Sequence, residues 1–523
     1  MNSAFFRTLI IFGVCVVLAI WLGFLVAGPM TYSSMAVYGL LGFILISPLL
    51  LRWHYPLMLL CWNFAAVVPF MPGRPSVGLT MILLSLGISV LQRTINRESQ
   101  FIRVPQITVA LLLMLAVVLV TAKMTGFGIR VFGSSVYGGH KYLYLVGGIL
   151  GYFALSAKRI PPGRRNLYLA LFFLGSISAA FGDLVGFLPR SGYFIYWFFQ
   201  PFNMDELHTG AGIGEQVTRL NGAEYASLGI FSFMLARYGI RGIFFSRKPW
   251  RWVILFLAVV YGLLGGYRSL LIIFTLLFMI ELFLEGLHRT KLMAIILSGG
   301  IIGALALIPL AEHLPVGIQR TLSFLPYKVS PEAKLDAQAT LDWRLDMWNG
   351  LLPQIPGYLL LGKGYNINPL DYEFVMGPEA SIQSAAENDP LALAEDFHNG
   401  PISVLIPFGI WGAIAFLWFI AAGIWVAYRN YRHGDPTLKT INSLLLAAFA
   451  ARVIMFLIVG GDLSVDMMMF CGLLGLNVSF NGGVARRTRA GRPAPQPRET
   501  RSFNRISPTP LPAYQRQRPG TVQ

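Results

Sequence analysis

His398 stands two and three residues after a pair of carboxylates in the run Glu395-Asp396-Phe397-His398-Asn399-Gly400, and Pro401 opens a long apolar stretch directly afterwards. An imidazole titrates near neutrality and can take a proton from an incoming hydroxyl. A neighbouring carboxylate, Asp396 or Glu395, can orient that imidazole or serve as the base itself. A lone histidine beside a helix start is otherwise more often a structural or capping residue. The run closes a polar segment, 311–400, that holds 12 of the 24 acidic residues against five Lys/Arg. So acidic a segment would also permit a divalent cation. No EF-hand spacing or Asp-x-Asp pair occurs in it, so neither a metal nor another cofactor is expected.

Arginines supply a second kind of chemistry. Arg219, in Val217-Thr218-Arg219-Leu220-Asn221-Gly222, opens an apolar run, and Arg268, in Gly265-Gly266-Tyr267-Arg268-Ser269, sits in a tight turn between two others. Arginine beside hydrocarbon is costly unless it snorkels to lipid headgroups or has a partner. Its planar fork suits bidentate capture of phosphate oxygens. Arg74, Arg130, Lys141, Arg190 and Arg320 fall on the same side of the chain's hydropathy pattern, but nothing around them singles them out. Arg344 lies in 342–354, where Trp343, Leu345, Met347, Trp348 and Leu351 alternate with charges. That pattern is compatible with an amphipathic helix that either packs on a bundle or covers a donor site. Pro353 and Pro356 would end it, and Gly362 and Gly364 allow a tight turn close to a substrate or to the bundle surface.

The elements that must position these groups are membrane spans. Of 523 residues, 55% are hydrophobic and only 12% charged. Many runs approach the ~20 apolar residues that a helix needs to cross roughly 30 Å of hydrocarbon. They are almost continuously apolar rather than alternating, which excludes a β-barrel. The fold class is all-α, a polytopic helical bundle with about 12–14 spans. The first run, Phe5 to Ala27, is too long for a cleavable signal and reads as an uncleaved span. Met35 to Leu51 and Tyr55 to Phe70 read as the second and third. Cys15, Cys61 and Cys471 lie in apolar runs without CxxC spacing and read as buried small hydrophobes.

Short basic loops at 93–103, 158–165, 237–251, 289–291 and 429–432 occupy every second connection. Lys and Arg stay on the cytoplasmic side, so both termini are expected in the cytoplasm and 311–400 outside. The net charge of +17 then reflects topology and gives no reason to expect nucleic acid as a partner. The chain divides into helices of 1–210, helices of 211–310 with the outward arginines, the loop 311–400, helices of 401–482 and a tail of 483–523. Nine arginines, seven prolines and one glutamate from 485 onward mark a disordered cytoplasmic tail that either lies on anionic lipid or is simply solvated.

Four pieces, in order, resemble the O-antigen ligase/polymerase superfamily of multi-spanning glycosyltransferases. They are Arg219-Leu220-Asn221-Gly222; Gly266-Tyr267-Arg268-Ser269; Arg344-Leu345-Asp346-Met347-Trp348 with Leu361-Gly362-Lys363-Gly364-Tyr365; and His398-Asn399 followed by Phe408-Gly409-Ile410-Trp411-Gly412. The second departs from the commoner Ser-Arg-Gly form. The resemblance spans about 219–419 and implies a metal-independent, inverting transfer of a glycan from an undecaprenyl diphosphate carrier to an acceptor hydroxyl, at the outer side of the inner membrane. It implies a lipid A core or a second lipid-linked repeat as acceptor, Arg219, Arg268 and Arg344 on the diphosphate, and His398, Asp396 or Glu395 as base. A polymerase shares the donor chemistry. A transporter or flippase would also be all-helical, but should show internal repeats and broken spans with polar residues near the midplane.

Overall fold

The computed structural model describes residues 32–71, 73–95, 101–128, 138–184, 220–367 and 397–486, with a few isolated positions in 12–23 and 195–199. Among the described residues there is no strand, and an isolated bridge joins Val67 to Ser76. The chain is an all-α bundle. Seven helical stretches among the described residues are long and apolar enough to cross a membrane, and Trp250–Leu263 and Met293–Ala306 are shorter apolar helices. Glu395, Asp396, Arg219, most of the first apolar run and the tail beyond 486 lie outside the described residues.

The helices are α1 (Tyr32–Cys61), α2 (Val77–Ile95), α3 (Pro105–Thr125), α4 (Gly139–Ser156) and α5 (Arg165–Leu174), the last continued by a tighter turn to Leu184. Then come α6 (Asn221–Phe244), α7 (Trp250–Leu263), α8 (Arg268–Leu284) and α9 (Lys291–Leu307). The polar segment contributes α10 (Val316–Leu322) and α11 (Pro331–Leu351), and α12 (Gly400–His433), α13 (Lys439–Ile454) and α14 (Leu463–Asn481) complete the bundle.

Two of the expected spans, Met35 to Leu51 and Tyr55 to Phe70, are not separate. They are largely one continuous helix, α1, which runs through Pro48 and Pro56 and stops at Cys61. The intervening Arg52-Trp53-His54 has no turn-forming residue, and a proline is tolerated within a membrane helix when neighbours satisfy the freed backbone groups. One long helix therefore stands where two spans were expected. Cys61 at its end is only half-buried, whereas Cys471 is buried as expected.

α12 has 34 residues, about 50 Å at about 1.5 Å per residue, which exceeds a hydrocarbon core of roughly 30 Å. It is interrupted at Gly409 (φ 60°, ψ −158°), just after Pro407. An interruption frees backbone groups that nothing in a bilayer can satisfy, and here the polar segment satisfies them. Lys363 N donates to Ile406 O at 2.8 Å, Gly364 N to Pro407 O at 3.0 Å, and Ile410 N to Leu359 O at 2.7 Å. The Gly362-Lys363-Gly364 turn is therefore a plug of backbone docked into a broken helix. Gly362 adopts φ +72°, and a Cβ on it would lie 2.2 Å from Pro407 O. Only glycine fits.

At the other end of α12 four asparagines interlock. Asn430 Nδ2 donates to Asn477 Oδ1 (2.7 Å) and to Gly483 O (3.0 Å), while Asn442 Nδ2 donates to Asn430 O and to Asn481 Oδ1, both at 3.0 Å. Ala485 N donates to Asn430 Oδ1 at 2.7 Å. The network ties α12, α13 and α14 together and fixes where the chain leaves the bundle.

Candidate functional site

Three neighbours hold His398. Phe397 is buried among Met347, Leu351, Ile402 and Ile406, and its carbonyl accepts a hydrogen bond from Trp348 Nε1 at 2.8 Å. On the other side Asn399 caps α12, its side chain accepting from Ile402 N at 3.1 Å. His398 itself adopts φ 45°, a region that costs a non-glycine residue energy and persists where the surroundings impose it. Its ring lies edge-on to Trp343, with 5.6 Å between centroids.

α11 thus packs on the start of α12 through Met347 and Leu351, and it begins at Pro331, well before 342, with Ser330 accepting from Ala333 N at 3.3 Å as its cap. Leu351 ends it two residues before Pro353. The packing half of the expectation holds: the helix packs against the start of α12, and its Trp343 ring lies against His398.

Opposite this histidine is a turn, Gly460-Gly461-Asp462, between α13 and α14. It follows a loosened π-helical stretch, Met455–Val459. The point where a Cβ of Gly460 would stand is 2.8 Å from His398 O and 4.0 Å from Arg344 Nη1. Arg344 and His398, 54 positions apart in sequence, meet there. Asp462 is ion-paired with Lys141 Nζ at 2.7 Å, with both side chains mostly buried. It also caps α14, accepting from Ser464 N at 2.7 Å. Beneath the turn Asp466 accepts from Asp462 N at 3.1 Å and pairs with Arg452 Nε at 3.1 Å.

The arginine turn at Arg268 lies at the start of α8. Tyr267 donates its hydroxyl proton to Asn221 Oδ1, and the Cβ position of Gly265 is 3.0 Å from Leu220 O. The turns carrying the Arg268 and Arg219 motifs are therefore neighbours, although Arg219 is outside the described residues. α10 covers the Arg268 turn: the Cβ position of Gly317 is 2.9 Å from Leu264 O. Arg320, also on α10, is buried and donates through Nη2 to Thr340 Oγ1 of α11 at 3.3 Å. A continuous path of contacts thus runs from the Arg268 turn through α10 and α11 to His398.

Lys141, Glu224, Arg452, Asp462 and Asp466 were not picked out by the sequence motifs. A usable signal existed for three of them. Arg452 and Asp466 are ionisable residues within spans, and Gly460-Gly461-Asp462 separates two apolar runs. Among the described residues no three His, Cys, Asp or Glu side chains converge to hold a metal ion. No protein-family model matches this chain, and no curated protein matches it.

Proposed function

We propose that this protein is a membrane glycosyltransferase of the O-antigen ligase type. It moves a glycan from an undecaprenyl diphosphate carrier to an acceptor hydroxyl, on a lipid A core or a similar lipid-borne acceptor, at the outer side of the inner membrane. The observation that carries the proposal is the meeting of Arg344 and His398 on the Gly460 turn. Transfer requires a stabilised diphosphate leaving group and a base for the acceptor proton, and the Arg344 guanidinium and the backbone carbonyl of His398 both approach the Gly460 turn. In the proposed step the acceptor oxygen attacks the anomeric carbon and the bond to the diphosphate oxygen breaks. His398 takes the hydroxyl proton, and arginine donors meet the charge developing on the leaving group. Asp396 and Glu395 remain the candidates to orient His398 or to replace it as base, and Arg219 and Arg268 to share the diphosphate.

Polymerase activity differs only in the acceptor.

The test is transfer by the purified protein in proteoliposomes, from a polyprenyl-diphosphate-linked oligosaccharide to a lipid A core acceptor. His398→Ala should lower turnover by about 10² to 10⁴, the contribution of a positioned base, and Arg344→Ala should weaken transfer with folding intact. Normal transfer by His398→Ala would remove the central residue of the proposal.

A further inference from the structure

A cavity of about 290 Å³ lies between the 62–65 stretch, α5, α6, α8, α13 and α14, with Ser76 and Tyr144 also in its wall. Phe172, Phe173, Leu277, Met468 and Leu473 line its depth, and Arg452 is the only charged side chain in the lining among the described residues. Three of the contributing stretches, Pro162–Leu184, Pro436–Val459 and Leu463–Asn481, are long and apolar enough to span a membrane. A largely apolar wall between helices of membrane length suits a hydrocarbon chain.

The polar end of the chamber limits what the chain can carry. Arg452 Nε is engaged by Asp466 at 3.1 Å, while 24% of the arginine side chain remains accessible. Tyr225, near the start of α6, also lines the chamber. The one guanidinium of the lining is thus already paired with a carboxylate. A phosphate entering here would meet an arginine already matched by acid. A hydroxyl, by contrast, can donate to a carboxylate and accept from a guanidinium at once.

We propose that this chamber binds the apolar chain of a membrane-borne amphiphile whose head is uncharged and hydroxyl-bearing, the chain among Phe172, Phe173, Met468 and Leu473 and the head against Arg452, whose charge Asp466 offsets. If the chain is the transferase proposed above, the occupant is a neutral lipid-borne acceptor rather than a phosphorylated lipid A core, and the diphosphate donor is held elsewhere. That last identification rests on the transferase proposal; the binding chemistry does not.

The test uses the full-length protein in nanodiscs and a decyl glucoside with a diazirine in its alkyl chain, with labelled peptides mapped by mass spectrometry after irradiation. Label should fall on 172–176 and 468–473. Two independent plugs from different helices, Ser232→Phe and Ala448→Phe, should each reduce it at least tenfold, so that misfolding of one leaves the other decisive. Unlabelled decyl glucoside should compete at least tenfold better than farnesyl phosphate. Labelling unchanged by both plugs, or confined to bilayer-facing positions such as Leu297 and Ile301, would overturn the site. Stronger competition by farnesyl phosphate would overturn the uncharged head. Chamber labelling without any glycan transfer would sink the transferase proposal alone, and transfer without chamber labelling would sink this one alone.

Discussion

The imidazole of His398 and the indole of Trp343 stand edge to face at 73°, their centroids 5.6 Å apart. The two residues come from different elements, one at the start of α12 and the other within α11, so the contact couples the orientation of the imidazole to the docking of the polar segment. Aromatic pairs of this geometry contribute about 0.5–1.5 kcal/mol beyond the area they bury.

Trp343→Ala should therefore leave the imidazole less well oriented and reduce glycan transfer by about 2- to 12-fold, the rate equivalent of that range. Trp343→Phe should keep most of the activity. Steady-state transfer rates of the two variants check this. Equal losses in both would mean that the indole acts through some other contact.

The docked turn at Gly362 should be intolerant of any side chain. Its φ of +72° alone costs an L-residue about 1–2 kcal/mol, and the Cβ would stand 2.2 Å from Pro407 O. Gly362→Ala is expected to loosen the polar segment, seen as faster limited proteolysis within 311–367 and a lower melting temperature. Gly350, inside α11, meets nothing within 4 Å of its Cβ position. Gly350→Ala should instead be neutral or stabilising by up to about 1 kcal/mol.

The asparagine network makes a different prediction. Asn442→Leu removes the donor to Asn430 O and to Asn481 Oδ1, and the acceptor used by Asn481 Nδ2 at 2.8 Å. Each buried polar group left without a partner costs about 1–3 kcal/mol, so the variant should melt well below wild type in detergent. Asn442→Asp, which keeps an acceptor but turns a buried carboxylate oxygen toward Asn430 O and Asn481 Oδ1, should melt at least as low. A melting temperature equal to wild type for Asn442→Leu would show that water replaces the amide.

Sidedness is open to direct labelling. The basic loops from 93 to 432 alternate, from which we expect 311–400 outside and the tail inside. A membrane-impermeant maleimide on intact cells should modify Ser384→Cys and spare Ser507→Cys. The opposite pattern would invert the bundle and with it the location of the proposed chemistry.

Hydropathy made the all-α bundle legible because apolar runs of membrane length have few other solutions. It failed between Leu51 and Tyr55, where a polar interval too short to be a turn was read as one. The meeting of Gly362-Lys363-Gly364 with Pro407-Phe408-Gly409 was half visible: both segments carried glycines that demanded an explanation, but nothing local says that one fills the break in the other. Lys141 and Asp462 were invisible as a pair. They lie 321 residues apart, and a single lysine ahead of an apolar run has no local signature of its partner.

That pair also offers a way to separate charge from capping. Asp462 accepts from Ser464 N at 2.7 Å and from Ser464 Oγ at 2.6 Å while it pairs with Lys141. Asparagine caps a helix about as well as aspartate, whereas alanine forfeits about 1 kcal/mol. Asp462→Asn should therefore lose the ion pair and keep the start of α14, and Asp462→Ala should lose both. The difference in unfolding free energy between the two variants should be about 1 kcal/mol, and it should survive high salt, since the cap is not an interaction between net charges. Wild type should weaken toward Asp462→Asn as salt rises only to the extent that the pair, 20% and 16% exposed, is screened. Lys141→Met combined with Asp462→Asn tests the remainder. If the double variant is no less stable than Asp462→Asn alone, Lys141 acts through Asp462. A further loss would show that Lys141 also contributes through the Tyr365 ring, whose centroid lies 5.6 Å from its Nζ.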